Sequence, residues 1–133
     1  MNQQERDELR KKHTYTRHST PRISVFTPSH RPTFLNECFD SLVAQTFSDW
    51  EWVVVMNNGA NWRPPVADAR VRVLWNNDLN GVGAAKRYAC EQACGEFLLE
   101  LDHDDLLAQE ALAEVVAAFD ANPEIGFVFS QFA

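Results

Sequence analysis

The spacing of apolar residues along the chain changes repeatedly, and each change predicts an element. Ile23-Ser24-Val25-Phe26 reads as a short strand stopped by Thr27-Pro28-Ser29. From about Thr33 to Gln45 the apolar positions Phe34, Leu35, Cys38, Phe39, Leu42 and Val43 fall on one helical face. Trp50 to Met56 is a second strand, and its unbroken run Trp52-Val53-Val54-Val55-Met56 predicts burial on both faces, as in a parallel sheet. Asn57-Asn58-Gly59 ends it. Asn61 to Asp68 contains Pro64-Pro65 and reads as a loop.

Val71 to Trp75 is the third strand, followed by a polar loop and a helix from about Val82 to Cys94, with Gly95 placed as its C-terminal cap. Glu96 to Leu101 is the fourth strand. A helix over Gln109 to Phe119 turns Leu112, Val115, Val116 and Phe119 inward and is stopped by Asn122-Pro123. Ile125 to Phe129 is a fifth strand. Residues 1–20 are charged and polar without apolar periodicity, which predicts a mobile arm with at most a short surface helix over Glu5 to Lys12.

Strands alternating with helices or long crossovers predict an α/β fold. Its sheet would be doubly wound, mostly parallel and Rossmann-like, with about five strands and helices on both faces. In a parallel sheet the segments Thr27-Pro28-Ser29, Asn57-Asn58-Gly59 and Asp102-His103-Asp104 share one edge, so their polar groups converge on one crevice.

Composition narrows the function. The 133 residues suffice for one small domain, and 12 basic against 19 acidic residues give a net charge of −7. That balance argues against a nucleic-acid binder, which needs a basic face. No apolar run reaches the length of a membrane span, and the first residues lack the apolar core of a signal peptide. The expected location is therefore cytoplasmic, at most peripheral at a membrane. Cys38, Cys90 and Cys94 form no disulfide framework and no zinc spacing, so they read as small buried residues.

The sharpest chemical signal is Phe97-Leu98-Leu99-Glu100-Leu101-Asp102-His103-Asp104-Asp105, a strand that runs into three carboxylates within four positions. Carboxylates so close repel one another, and a hard divalent ion prefers oxygen ligands. The plain alternative is a solvated acidic turn capping the next helix.

The order of motifs resembles the donor half of the family 2 glycosyltransferases, which have the GT-A fold. Ile23-Ser24-Val25-Phe26-Thr27-Pro28-Ser29-His30-Arg31 is similar to that family's opening strand and nucleotide-contacting loop. Leu35-x-x-Cys38-Phe39-x-Ser41-Leu42-x-x-Gln45-Thr46-Phe47-x-Asp49-Trp50-Glu51 resembles its first helix and the approach to the second strand. Gly81-Val82-Gly83-Ala84-Ala85-Lys86-Arg87 resembles its small-residue helix start, and Gly95-Glu96-Phe97 through Asp105 its strand into an Asp-x-Asp motif.

The resemblance covers residues 21–133 and implies a nucleotide-sugar donor domain. It implies a metal-dependent, inverting transfer of sugar from a nucleoside diphosphate, UDP above all, to an acceptor hydroxyl on a glycan, lipid or protein. By that resemblance Asp104 would be the direct ligand of Mn²⁺ or Mg²⁺, and Asp102 would be a second ligand or face the ribose or a metal-bound water. Thr27, Pro28 and Ser29 shape the nucleoside pocket, largely through backbone. Arg31, Asn80 and Lys86 are candidates for phosphate or base contacts.

Where the family usually carries an acidic residue against the uracil ring, this chain has Asn57 and Asn58, and Asn58 is the candidate base contact. Asn58 is equally suited to a turn with an unusual backbone angle. His103 is expected to point away as a spacer, Asp105 to cap the next helix, and Glu100 carries no role. The chain stops before the acceptor side and the catalytic base that the family places later. It therefore reads as the donor half only, with an open sheet edge that invites association between copies.

Three rivals remain: a nucleotide- and metal-binding module without activity of its own, a sugar-phosphate nucleotidyltransferase, and a structural domain with a capped acidic turn. The second is disfavoured because Thr27-Pro28-Ser29-His30-Arg31-Pro32 contains no glycine to wrap a triphosphate.

Overall fold

The computed structural model describes residues 2–4 and 20–126. The elements are β1 (Ile23–Ser29), α1 (Leu35–Val43), β2 (Trp50–Met56), β3 (Val71–Trp75), α2 (Gly81–Gln92), β4 (Phe97–Glu100) and α3 (Ala111–Ala121). The four strands form one sheet in the order β3-β2-β1-β4. Every pairing is parallel, with Ile23 opposite both Trp50 and Phe97, and Trp52 opposite Val71. The sheet is thus the doubly wound one expected, and β1 is its topological switch point.

Alternation along the strands sorts side chains onto two faces. Ile23, Val25, Trp50, Trp52, Val54 and Met56 pack with Leu35, Cys38, Phe39 and Leu42 of α1 and with Leu112 and Val116 of α3. Phe26, Val53 and Val55 face Ala89 of α2 on the other side. The central strand β2 is buried along its whole length, which explains its lack of polar interruption. Phe34 and Val43, expected on the inner face of α1, lie at its two ends and stay about half exposed, at 52% and 49%.

A polar network closes the amino-terminal edge of the sheet. Glu51 is buried on the α2 face, where Ser24 Oγ donates to it at 2.5 Å, the Cys94 N–H at 2.6 Å and Arg72 Nη1 at 3.0 Å. Burial alone would push this carboxyl up, but those three donors outweigh it and hold it below the ordinary glutamate value.

Gly95 is not the cap of α2, which ends at Gln92 with Ala93 in extended backbone. The glycine serves a close approach instead: a Cβ there would lie 2.4 Å from Ser24 Oγ and 2.6 Å from Ser24 N. Cys94 consequently lies beyond the helix and is exposed, Cys90 is half-buried, and of the three thiols Cys38 alone is buried.

The fourth strand and the third long helix stand where the pattern placed them, each within two residues. The fifth strand expected over Ile125–Phe129 falls mostly outside the described residues, and Ile125 and Gly126 are not in strand. The arm over residues 1–20, with its helix over Glu5 to Lys12, also lies almost wholly outside them.

Candidate functional site

The order in which strands are added reverses at β1: β2 and β3 lie to one side, β4 to the other. The crevice beyond the carboxyl ends of β1 and β4 is where such sheets bind ligands. A cavity of about 500 Å³ opens there, walled by Pro28, His30, Asn57, Asn58, Val82, Lys86 and Asp102 to Asp104, among others. The three polar strand ends singled out in the sequence do converge, and the start of α2 closes the fourth side.

The predicted residues divide between the wall and its foundations. Pro28, Asn58, Lys86, Asp102 and Asp104 line the cavity. Thr27 and Ser29 are buried beneath it, because alternation turns their side chains toward α1. Thr27 Oγ1 donates to the Leu101 carbonyl at 2.6 Å and accepts from Trp52 Nε1 at 2.8 Å, fastening β1 to the end of β4. Arg31 and Asn80 are exposed and stand outside the wall. Asn80 precedes the first turn of α2 without a side-chain bond to it.

His103 differs from expectation. Strand geometry ends at Leu101, and a turn closed by the Asp105 N–H on the Asp102 carbonyl at 3.0 Å carries the next residues. His103 is therefore not thrown to the opposite face. It lines the cavity with Nδ1 2.9 Å from Ser29 Oγ, its ring centroid 5.2 Å from that of His30. Asp105 does not cap a helix, since α3 begins only at Ala111. Its carbonyl instead receives the Cys38 thiol at 3.1 Å, and the same sulfur lies 3.6 Å from the His103 carbonyl. Burial pushes that thiol up to about 11, so it stays a protonated donor under the turn.

Asn57, named in the sequence only as a substitute for an acidic residue, has the more telling position. It is 8% exposed, and its Oδ1 is buried without a hydrogen-bond partner among the described residues, although the residue lines the cavity. A buried acceptor without a donor is costly unless a ligand supplies one. Asn58 adopts the left-handed backbone at φ 54° and Gly59 at 78°, so the turn chemistry of Asn-Gly holds Asn58 at the rim. The signal for Asn57 was present as the last polar residue before that turn.

Charge at the site is lopsided. Lys86 is ion-paired to Glu100, the residue given no role from sequence. Burial, then the Glu100 charge, raise the Asp102 carboxyl above the ordinary aspartate value, and Lys86 only partly opposes them. Asp104 shares the wall. Among the described residues no group of three or more His, Cys, Asp or Glu is arranged to hold a metal ion by itself. The carboxylates fit a hard cation only if a ligand and water supply the remaining oxygens. No described helix is long and apolar enough to cross a membrane.

Comparison with known proteins gives a consistent result. The model of "Glycosyl transferase family 2" matches residues 24–133. The O-antigen biosynthesis protein RfbC of Myxococcus xanthus is 33% identical over 122 residues, covering 84% of this chain and 9% of that protein. The Escherichia coli UDP-Glc:alpha-D-GlcNAc-diphosphoundecaprenol beta-1,3-glucosyltransferase WfgD is 26% identical over 115 residues, covering 83% of this chain and 45% of its own. The crystal structure of S. aureus TarS 1-349 in complex with UDP-GlcNAc superposes with a TM-score of 0.67 at 24% identity, over 83% of this chain and 37% of that one. That likeness establishes the fold. The chain spans less than half the length of each of these proteins.

Proposed function

We propose, from the premise that the chain belongs to glycosyl transferase family 2, that it binds the nucleoside diphosphate-sugar donor, UDP-linked, of an inverting, metal-dependent glycosyl transfer. The observation that carries this reading is the convergence of Asn57, Lys86, Asp102 and Asp104 on one cavity at the switch point of a parallel sheet. The name of the relative WfgD gives UDP-Glc as its donor and a lipid-linked diphosphate sugar as its acceptor. An acceptor of that class, a membrane-borne glycan, is the one we assign here.

Each wall residue then has a task. The Asn57 carboxamide, turning its partnerless Oδ1 out to the cavity, accepts the imide N–H of uracil and donates to a ring carbonyl, a pairing that an amide makes without help from charge. Asn58 closes the rim beside it. Lys86, which exchanges its Glu100 partner for phosphate oxygens, faces the diphosphate. Asp102 and Asp104 would hold Mn²⁺ or Mg²⁺, and such a cation, when bound, would supply positive charge against the negative charge that grows on the departing diphosphate. In the transfer the sugar's anomeric carbon–phosphate oxygen bond breaks as a bond to the acceptor oxygen forms from the opposite face. The proton of the acceptor hydroxyl passes to a base that we do not assign to any described residue.

The test is a calorimetric titration of the chain with UDP, with and without Mn²⁺. Binding should require the metal, and Asp104→Asn should abolish that requirement along with the affinity. Equal titration curves for the variant and the parent would refute the assignment. A module that only binds would pass this test, and a transfer assay with the lipid-linked acceptor on a longer chain that carries the acceptor side separates it from a transferase.

A further inference from the structure

We propose that His103 is a further donor-contacting residue, held by Ser29 in its Nδ1–H form so that Nε2 accepts a hydrogen bond from a hydroxyl of the bound nucleotide sugar. The proposal rests on the donor reading above, but its first half stands on hydrogen-bond counting alone. A serine hydroxyl has one hydrogen and two lone pairs. Ser29 Oγ lies 2.9 Å from the Arg31 carbonyl, which can only accept, so the hydrogen goes there. The Arg31 N–H donates back to Oγ at 3.3 Å and takes one lone pair. The last lone pair meets His103 Nδ1 at 2.9 Å, so that nitrogen carries a hydrogen. Ser29 is 1% exposed, and solvent does not compete for the arrangement.

A neutral imidazole protonated at Nδ1 has a bare Nε2. No hydrogen bond to that nitrogen exists among the described residues, and the ring stands on the cavity wall between Asp102 and Asp104, beside the His30 ring. Residues 102 to 104 do not gather with a further ligand around one metal position. To the bare Nε2 of the neutral ring, ionised phosphate oxygens, which are acceptors, offer nothing. The imide N–H belongs at Asn57. Hydroxyl groups remain as donors, on the ribose or on the transferred sugar. The turn that brought His103 to this wall is braced from below by the Cys38 thiol, so Ser29 orients a ring whose backbone is already fixed.

The experiment combines imidazole ¹⁵N spectra with titrations of UDP and UDP-GlcNAc in Mg²⁺, using the parent chain, Ser29→Ala, His103→Ala, His103→Asn and the Ser29→Ala/His103→Ala pair. At about pH 9, where imidazole is ordinarily neutral, the His103 signals should be those of the Nδ1–H tautomer, and Ser29→Ala should mix the two tautomers. His103→Ala and His103→Asn should each weaken binding about tenfold, the size of one hydrogen bond. His103→Asn keeps an N–H toward Ser29 and so guards against a folding artefact.

The double variant should be no weaker than His103→Ala, because Ser29 acts through the ring. A loss confined to UDP-GlcNAc places the hydroxyl on the transferred sugar, and an equal loss for UDP places it on the ribose. A dominant Nε2–H tautomer overturns the proposal, as does unchanged affinity in both His103 variants. A parent chain that binds neither nucleotide overturns the donor reading and the hydroxyl contact together, while the spectra still decide the Ser29–His103 pairing.

Discussion

The Thr27 hydroxyl donates to the Leu101 carbonyl across 2.6 Å, joining β1 to the residue just before the acidic turn. The same oxygen accepts the Trp52 indole N–H at 2.8 Å. One buried hydroxyl therefore satisfies a group of β2 and one just beyond the end of β4. Thr27→Val keeps the shape and removes both bonds, leaving a buried carbonyl and a buried N–H unpaired. Urea unfolding should register a loss of about 2–3 kcal/mol, larger than a methyl-for-hydroxyl exchange at the surface.

Gly95 gives a second, purely steric prediction. Its missing Cβ would meet backbone as well as side chain, with Ser24 N at 2.6 Å and the Ile23 carbonyl carbon at 2.9 Å. Gly95→Ala should destabilise the fold by about 1–3 kcal/mol, the usual cost of overpacking. Adding Ser24→Ala should not restore stability, because the backbone clash persists. Thermal melts of the single and double variants check this.

Glu51 makes stability depend on pH with a defined sign. Burial raises its proton affinity, but the donors Ser24, Cys94 and Arg72 lower it further, and the folded value lies below the ordinary glutamate value of 4.5. A group depressed by folding stabilises the native state fully above its unfolded value, and that contribution is lost as pH falls through the folded one. The melting temperature should therefore drop on acidification below the ordinary glutamate range. Glu51→Gln should be less stable near neutrality and show a shallower drop there.

Lys86 and Glu100 oppose each other at the cavity mouth. If Lys86 faces diphosphate, Lys86→Met should weaken UDP binding about tenfold and flatten its dependence on salt. Glu100→Gln should act the other way, strengthening UDP binding several-fold by removing a competing carboxylate. Calorimetry across a salt series measures both, and a Lys86→Met variant with the parent's salt dependence would remove Lys86 from the contact.

Much of this architecture was legible before any coordinates. The run Trp50–Met56 matched its strand residue for residue because a central parallel strand is buried on both faces and shows no other pattern. Asn57-Asn58-Gly59 was legible as a turn because its backbone needs left-handed angles that few residues accept. What stayed hidden depended on neighbours distant in sequence. Gly95 looked like a helix cap because its encounter with Ser24, 71 residues away, leaves no local trace. Strand alternation extended past Leu101 makes His103 a spacer, but the chain turns there instead. Sequence favours Asn58 as the base contact, and burial, which leaves no local trace, sets Asn57 with its unsatisfied oxygen apart from Asn58 at the rim.

The Ser24–Glu51 bond lies at the strand ends opposite the mouth. The sheet is thus bolted at one rim and open for ligands at the other. Exposed residues at the opening, such as Asn58, can change without loosening the bolt, so this rim is where the scaffold tolerates variation best.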